Sequence, residues 1–360
     1  MIIRPSSTPR AFNCLGSIGM EAQASDLPDT DDAREGTAAH WVAEMVLKGE
    51  VGDVSELIDR PAPNEVIVTG EMVEHVQTYV DTINERDLSA CVEHPIEFDL
   101  DGATVKGTAD HFAYGPDDTL YVDDLKYGWR AVDPENNWQL LSYAVGASQF
   151  YPHLQSVVMT IHQPRPHHPL GKVRGVTITR DELLAKVQEM RAIVQRIQSG
   201  DRTLTTGKHC DYCPAAVFCP AHQQSGMNAV DVSVQGVPDH LTPEALASEL
   251  RILKRAEEMI KARASLLDEQ ASTQIKQGKF VPGWGLNHRY GKRRWKDGVA
   301  TLEMLSGKKL TEDKPITPAA AERLGIDKDI VAMYAETPVI GTKLEQVDLD
   351  KQMKGLFGNG

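Results

Sequence analysis

The stretch from Ala103 to Gly128, ATVKGTADHFAYGPDDTLYVDDLKYG, constrains the fold of this chain more than any other. Two β-prone runs, Ala103–Tyr114 and Leu120–Tyr127, flank the turn-forming Gly115-Pro116-Asp117-Asp118, which predicts a hairpin. Side chains alternate between faces along a strand, so Asp124 and Lys126 share one face and Leu125 takes the other. With Gly115–Thr119 unpaired, Asp110 falls opposite Asp124. Facing residues in such a pair hold their Cβ atoms about 4.5–5.5 Å apart, so two carboxylates repel unless a cation lies between them. A solvated surface hairpin would also explain these charges. Two acids and a lysine on one sheet face are, however, the groups that metal-assisted phosphodiester hydrolysis requires.

Helices are expected on both sides of the hairpin. Asp31–Lys48 carries a candidate cap at Asp31 or Asp32, apolar positions at Ala38, Trp41, Met45 and Val46, and a stop at Gly49. His40 and Glu44 stand four residues apart and so share one face of it. Gly70–Asp87 is a second amphipathic segment, followed by a strand over His94–Leu100. Pro134–Gln149 reads as a helix that places Gln139 and Tyr143 on one face. Strands over Gln155–His162 and Val173–Thr179 bracket a proline-rich loop whose Arg165 is a candidate phosphate contact. A helix capped by Asp181 then runs to Gly200. The pattern predicts an α/β fold with a mixed sheet flanked by helices.

His209-Cys210-Asp211-Tyr212-Cys213 followed by Cys219 gives a Cys-x2-Cys-x5-Cys spacing, a strong metal signal because neighbouring thiolates grip one centre from a single turn. Three ligands need a fourth. Cys14 is the candidate, and for zinc His209 or His222 could replace it. Cys91 stands alone, as a small buried residue would. Five clustered cysteines, with no apolar leader block at the N-terminus, point to a reducing cytoplasm. No run of apolar residues is long enough to span a membrane. The net charge of −14 argues against coating nucleic acid through bulk attraction, although a local basic groove remains compatible with it.

Beyond a polar linker over 223–240, Thr242-Pro243 opens a long helix reaching about Gln277, with leucines and isoleucine at coiled-coil spacing. It is expected to pack within the chain or against a second copy. Lys279–Lys296 is the one basic and aromatic stretch, a hairpin in which Arg289, Arg293, Arg294, Lys296 and Trp295 are candidate DNA contacts. Residues 297–360 read as a small region with a helical stretch near Pro318–Leu324 and a loose tail.

Gly107-x-x-Asp110 with Asp124-x-Lys126 resembles the signature of the PD-(D/E)xK nuclease superfamily. Gly36-Thr37-x-x-His40 before it and Gln139-x-x-x-Tyr143 after it are similar, in the same order, to motifs of the RecB-like nucleases. One cysteine near the start and three after the last helix resemble the iron–sulfur members, which include AddB and the CRISPR-associated RecB-like exonucleases. The resemblance covers residues 1–222 and implies a restriction-endonuclease-like domain, with a helical C-terminal extension over 241–296. It implies Mg²⁺ or Mn²⁺ held by His40, Asp110, Asp124 and the Leu125 carbonyl. Lys126 would stabilise developing charge, Gln139 and Tyr143 would position the strand, and Cys14, Cys210, Cys213 and Cys219 would hold a [4Fe–4S] cluster. The function it implies is a DNA exonuclease. The alternatives are an endonuclease of the same chemistry and a non-catalytic, metal-stapled DNA-binding or scaffold protein. The Phe12-Asn13-Cys14 opening looks most like phage and prophage members, which would place the protein in recombination or replication beside a recombination or single-strand-binding partner.

Overall fold

The structure is a computed structural model that describes residues 1–24, 29–234, 240–290, 294–295, 298–310, 317–337 and 339–346. The chain divides into two units, Met1–Leu266 and Leu267–Gly360, each with a core of its own.

The first unit is organised on a mixed sheet of β1 (Ile2–Ile3), β2 (Ala90–Asp99), β3 (Thr104–Tyr114), β4 (Thr119–Leu125), β5 (Ser156–His162) and β6 (Val173–Thr179). Its order is β1-β3-β4-β5-β6, with β2 on the other edge of β3. Its helices are α1 (Thr8–Asn13), α2 (Ser17–Glu21), α3 (Asp31–Leu47), α4 (Gly70–Asn84), α5 (Trp138–Ser148), α6 (Arg180–Gln198) and α7 (Pro220–Ser233); α8 (Pro243–Lys276) follows. The expectation of a mixed α/β sheet flanked by helices holds.

The predicted hairpin forms with the expected register: Tyr114 pairs with Leu120 and His111 with Asp123. Gly115 N–H closes the turn on the Thr119 carbonyl. The strand β5 then runs parallel to β4, which requires a crossover, and α5 supplies it. One face of the sheet packs Phe112, Leu120, Val122 and Ile161 against Leu140, Leu141 and Ala144 of α5 and Leu183, Met190 and Val194 of α6. A Cβ on Gly146 would come within 2.7 Å of the Ile96 Cβ, so the glycine is what lets α5 lie close to β2. Leu125 and Tyr127 belong to a second core, made with Ala38, Ala39 and Val42 of α3 and Val76, Tyr79 and Val80 of α4.

Several local expectations are corrected. The cap of α3 is Thr30, whose hydroxyl accepts from Ala33 N–H, and Asp31 and Asp32 sit in the first turn, where their charge favours the helix dipole. Likewise Thr179, not Asp181, caps α6, through a capping box with Glu182. The linker expected over 223–240 begins as helix, because Pro220 at the first helical position starts α7 and carries it to Ser233.

In the second unit the described strands of the basic stretch pair with segments further along the chain. Its strand β7 (Trp284–Tyr290) pairs antiparallel with β10 (Val339–Gln346), inside what read as a loose tail. The short β8 (Arg294–Trp295) pairs with β9 (Ala335–Glu336). The helices α9 (Val299–Ser306), α10 (Pro318–Arg323) and α11 (Lys328–Tyr334) contribute Leu302, Ala321 and Val331 to a small core.

Candidate functional site

The β3–β4 ladder stops where the chemistry begins. Past His111 and Asp123, the next facing pair is Asp110 and Asp124. Instead of a further ladder bond, the Leu125 N–H donates to the Asp110 carboxylate at 2.9 Å. That bond fixes one carboxylate oxygen at the point where the two strands part. Gly107, three residues upstream, is required by close approach: a Cβ there would lie 2.6 Å from the ring of Pro5.

His40 reaches this point from α3, as expected, with Nδ1 3.5 Å from Asp110 Oδ2. The third member of the group is Glu93 on β2, whose carboxylate is 3.8 Å from the same imidazole nitrogen. One ligand atom each from His40, Glu93 and Asp110 lies within 4.8 Å of the others, a group that can hold a metal ion. Glu93 falls at a gap in the β2–β3 ladder, between the Val92–His111 and His94–Ala109 pairs, level with Asp110. Its φ of 47° breaks the strand locally. A left-handed conformation is costly for a residue with a side chain and tends to persist where a site demands it. Sequence reasoning missed Glu93 because the strand was expected to begin only at His94.

Asp124 is not a member of that three-residue group, though its charge and those of Asp110 and His40 act on one another. It is 1 % exposed, and Lys126 Nζ is 2.9 Å from Oδ1 and 2.7 Å from Oδ2. The two charges neutralise one another, as a buried carboxylate requires. Lys126 is thus oriented by Asp124, two residues before it on the same face. Gln139 Nε2 donates to Tyr143 Oη at 2.9 Å, so the predicted pair forms. The Leu125 N–H serves Asp110, while the side chain packs in the α3–α4 core.

Charge shapes the cleft. Burial disfavours a charged His40, yet Asp110 and Glu93 outweigh it and raise the imidazole to about 9. An ion seated there would have to displace that proton. Burial, opposed by the Lys126 ammonium and aided by Asp110, lifts the Asp124 carboxyl above the usual carboxylate range. Burial works against the Lys126 charge, but Asp124 and Asp110 prevail and hold its proton more firmly than usual. Burial, then Asp124 and Asp110, drive the Tyr143 phenol far up, so Tyr143 remains a neutral donor.

The other face of β4 carries a network that sequence reasoning did not find. Asp123 is buried, hydrogen-bonded to His111 Nδ1 at 3.0 Å and His162 Nε2 at 2.8 Å, and accepts both arms of Arg86. Tyr79 of α4 meets the His162 ring edge-on at 4.8 Å. Burial would raise the Asp123 carboxyl, but hydrogen bonds from His111, His162 and Arg86 hold it well below the carboxylate range. The signal for it was available: His111 faces Asp123 in the predicted register, and both are polar side chains on one face of the hairpin.

Cys14, Cys210, Cys213 and Cys219 line one cavity, together with His209 and His222. The N-terminal segment is docked there by a Gly16 N–H bond to the Thr203 carbonyl at 3.0 Å. Among the described residues, no three of the sulfurs lie within 4.8 Å of one another. His222 is 2 % exposed, and its Nδ1 makes no hydrogen bond. Cys91 packs against the main core, as a small apolar residue would.

Of the candidate DNA contacts, Arg165 belongs to the first unit and the others to the second. Arg165 is held by Glu35 at 2.6 Å, its side chain 8 % exposed, with its guanidinium 3.8 Å from the centre of the Tyr127 ring. It acts as a buried clamp and not as a phosphate contact, because its charge is already matched. Trp295 is half-buried and packs against the small core of the second unit. Arg289 and Arg294 fall on β7 and β8, while Arg293 and Lys296 lie outside the described residues. No helix among the described residues is long and apolar enough to cross a membrane.

Fold and site together define a mixed α/β protein with a His/Glu/Asp group able to bind a metal ion at the mouth of a β-fork. The chain belongs to the family described as a protein of unknown function (DUF2800), whose model matches residues 2–340. Two solved structures are similar in part. One, a candidate exonuclease from Eubacterium rectale, is 13% identical, with 67% of this chain and 91% of that chain covered and a TM-score of 0.35. The other, SSO0001, is 14% identical, with 60% and 97% covered and a TM-score of 0.28.

Proposed function

We propose that the protein is a metal-dependent deoxyribonuclease, an exonuclease in preference to an endonuclease, with a [4Fe–4S] cluster in its thiol cavity. The observation that carries this reading is the convergence of His40, Glu93 and Asp110 beside the Asp124–Lys126 pair. The donor set fits a divalent ion: two carboxylates suit Mg²⁺ or Mn²⁺, and the imidazole favours Mn²⁺. Such an ion supplies Lewis-acid polarisation of a phosphate and a more acidic water. Lys126 places an ammonium beside the cleft, where it would stabilise charge growing on the phosphate oxygens. Gln139 and Tyr143, both neutral, would hydrogen-bond the strand without repelling it.

Four cysteines lining one cavity provide a full thiolate set for such a cluster. With Cys14 present, neither His209 nor His222 is needed as the fourth ligand. A phage recombination or replication setting in the bacterial cytoplasm belongs to the same proposal, resting on the resemblance of the motifs.

Digestion of end-labelled linear DNA with Mn²⁺ tests the activity. The parent should release labelled nucleotides and leave closed circular DNA intact, and Lys126→Ala should lose at least a hundredfold in rate. Equal activity in parent and variant would end the nuclease assignment.

A further inference from the structure

The pocket that holds His40, Glu93 and Asp110 has Tyr79 of α4 in its wall. Tyr79 is 3 % exposed and belongs to the apolar core that Val76, Val80 and Leu125 share. Its ring meets that of His162 edge-on, 4.8 Å between centres, and His162 is in turn bonded to Asp123 at 2.8 Å. The ring is therefore well held. Its hydroxyl is not: it is buried and has no hydrogen-bond partner among the described residues. A buried hydroxyl left unpaired costs stability, and a phenylalanine would pack the same ring without that cost. Burial, and after it the Asp110 carboxylate, raise the Tyr79 phenol well above its ordinary value, so it stays a protonated, neutral group.

We infer that Tyr79 is a positioning residue of the metal centre, its hydroxyl hydrogen-bonded to a water of the ion held by His40, Glu93 and Asp110. The inference rests on the metal-dependent reading above, and deepens it by assigning a partner to the ion's hydration shell. Three protein donors do not fill the octahedral shell of such an ion, and the rest of that shell is water. Those waters need hydrogen-bonding partners in the pocket wall. Elsewhere in the wall Ala43, Leu47, Val92 and Leu125 are apolar, and Glu44 is already paired with Lys48 at 2.6 Å. Tyr79 therefore supplies a neutral polar group with its bonding capacity uncommitted. A phenol hydroxyl both donates and accepts, so it suits a water in either orientation. The Asp123 network acquires a part in this arrangement, because it steadies the His162 ring on which Tyr79 rests. With the ring already ordered, the added bond strengthens ion binding at little further entropic cost.

Mn²⁺ titrations of the whole chain test this. Binding is followed by calorimetry in the parent, Tyr79→Phe, Tyr127→Phe and His40→Ala, and melting temperatures are read with and without the ion. Tyr79→Phe keeps the ring and removes only the hydroxyl. It should bind Mn²⁺ about tenfold more weakly than the parent. Without metal it should melt no lower than the parent, since an unpaired buried hydroxyl has been removed. Added Mn²⁺ should then raise its melting temperature by less. Tyr127 is a buried tyrosine of the same core that does not line the pocket, so Tyr127→Phe should keep the parent's affinity. Parental affinity in Tyr79→Phe overturns the proposal, and so does an equal loss in Tyr127→Phe, the mark of a general effect on the core. A lower melting temperature of metal-free Tyr79→Phe also overturns it, because the hydroxyl then has a partner that owes nothing to the ion. A parent that binds no Mn²⁺, or binds it equally well after His40→Ala, refutes the metal site and this inference with it. A parent that meets every expectation in the titrations but never digests DNA refutes the nuclease reading alone.

Discussion

At the scale of single residues, the site depends on side chains that are unsatisfactory by themselves. Glu93 accepts a left-handed backbone to bring its carboxylate to His40. Its removal should reveal whether that strain serves metal binding. With Glu93→Gln, the Mn²⁺ concentration giving half-maximal cleavage, or half-maximal binding by calorimetry, should rise by at least the roughly 10–100-fold that loss of an outer-shell partner costs. Asp123 presents the opposite case, a carboxylate satisfied by Arg86, His111 and His162. Asp123→Asn would leave Arg86 without its buried counter-charge, a loss of about 3–5 kcal/mol in urea unfolding. Because the folded carboxyl binds its proton only far below the usual range, its contribution is complete above the unfolded value of about 3.9. That contribution fades as pH falls below this value, and the asparagine variant should lack this part of the acid slope.

At the scale of elements, the hairpin, the Gln139–Tyr143 helix and the cysteine spacing were legible because each is a local pattern with a fixed period. What escaped was non-local. The partner of β7 is β10, with the whole of α9 to α11 between them, and no period in either strand names the other. Glu93 and Asp123 were hidden for a related reason: each gains its role from the neighbouring strand, so its meaning depends on register as well as on its own surroundings. The thiol cavity joins α1 to the segment that follows α6. Closing so long a loop is entropically costly, and the proposed cluster would offset that cost. Cys14→Ser should therefore lower the melting temperature and the iron content together, read by thermal denaturation and metal analysis, with little change in the circular dichroism of the sheet at low temperature.

At the scale of the molecule, the second unit and α8 raise the question of assembly. Leu246, Leu250, Leu253 and Ile260 follow coiled-coil spacing, and all are exposed on this chain. We propose that a second copy covers them, since a long helix with an apolar stripe is stabilised mainly by packing that stripe. Sedimentation equilibrium should then show a dimer that Leu250→Glu converts to a monomer. The overall charge of −14 fits a protein that engages its ligand through a few oriented groups and not through a broad basic surface.

The contact between Pro5 and Gly107 links these scales. The first segment is pinned by β1 against β3, by the proline ring on the bare glycine, and by Cys14 in the thiol cavity. It behaves as a lever with its fulcrum beneath the catalytic strand. A single methyl group added at Gly107 would tilt that lever, so damage near the acids would register first in the thiol cavity, well away from the position altered.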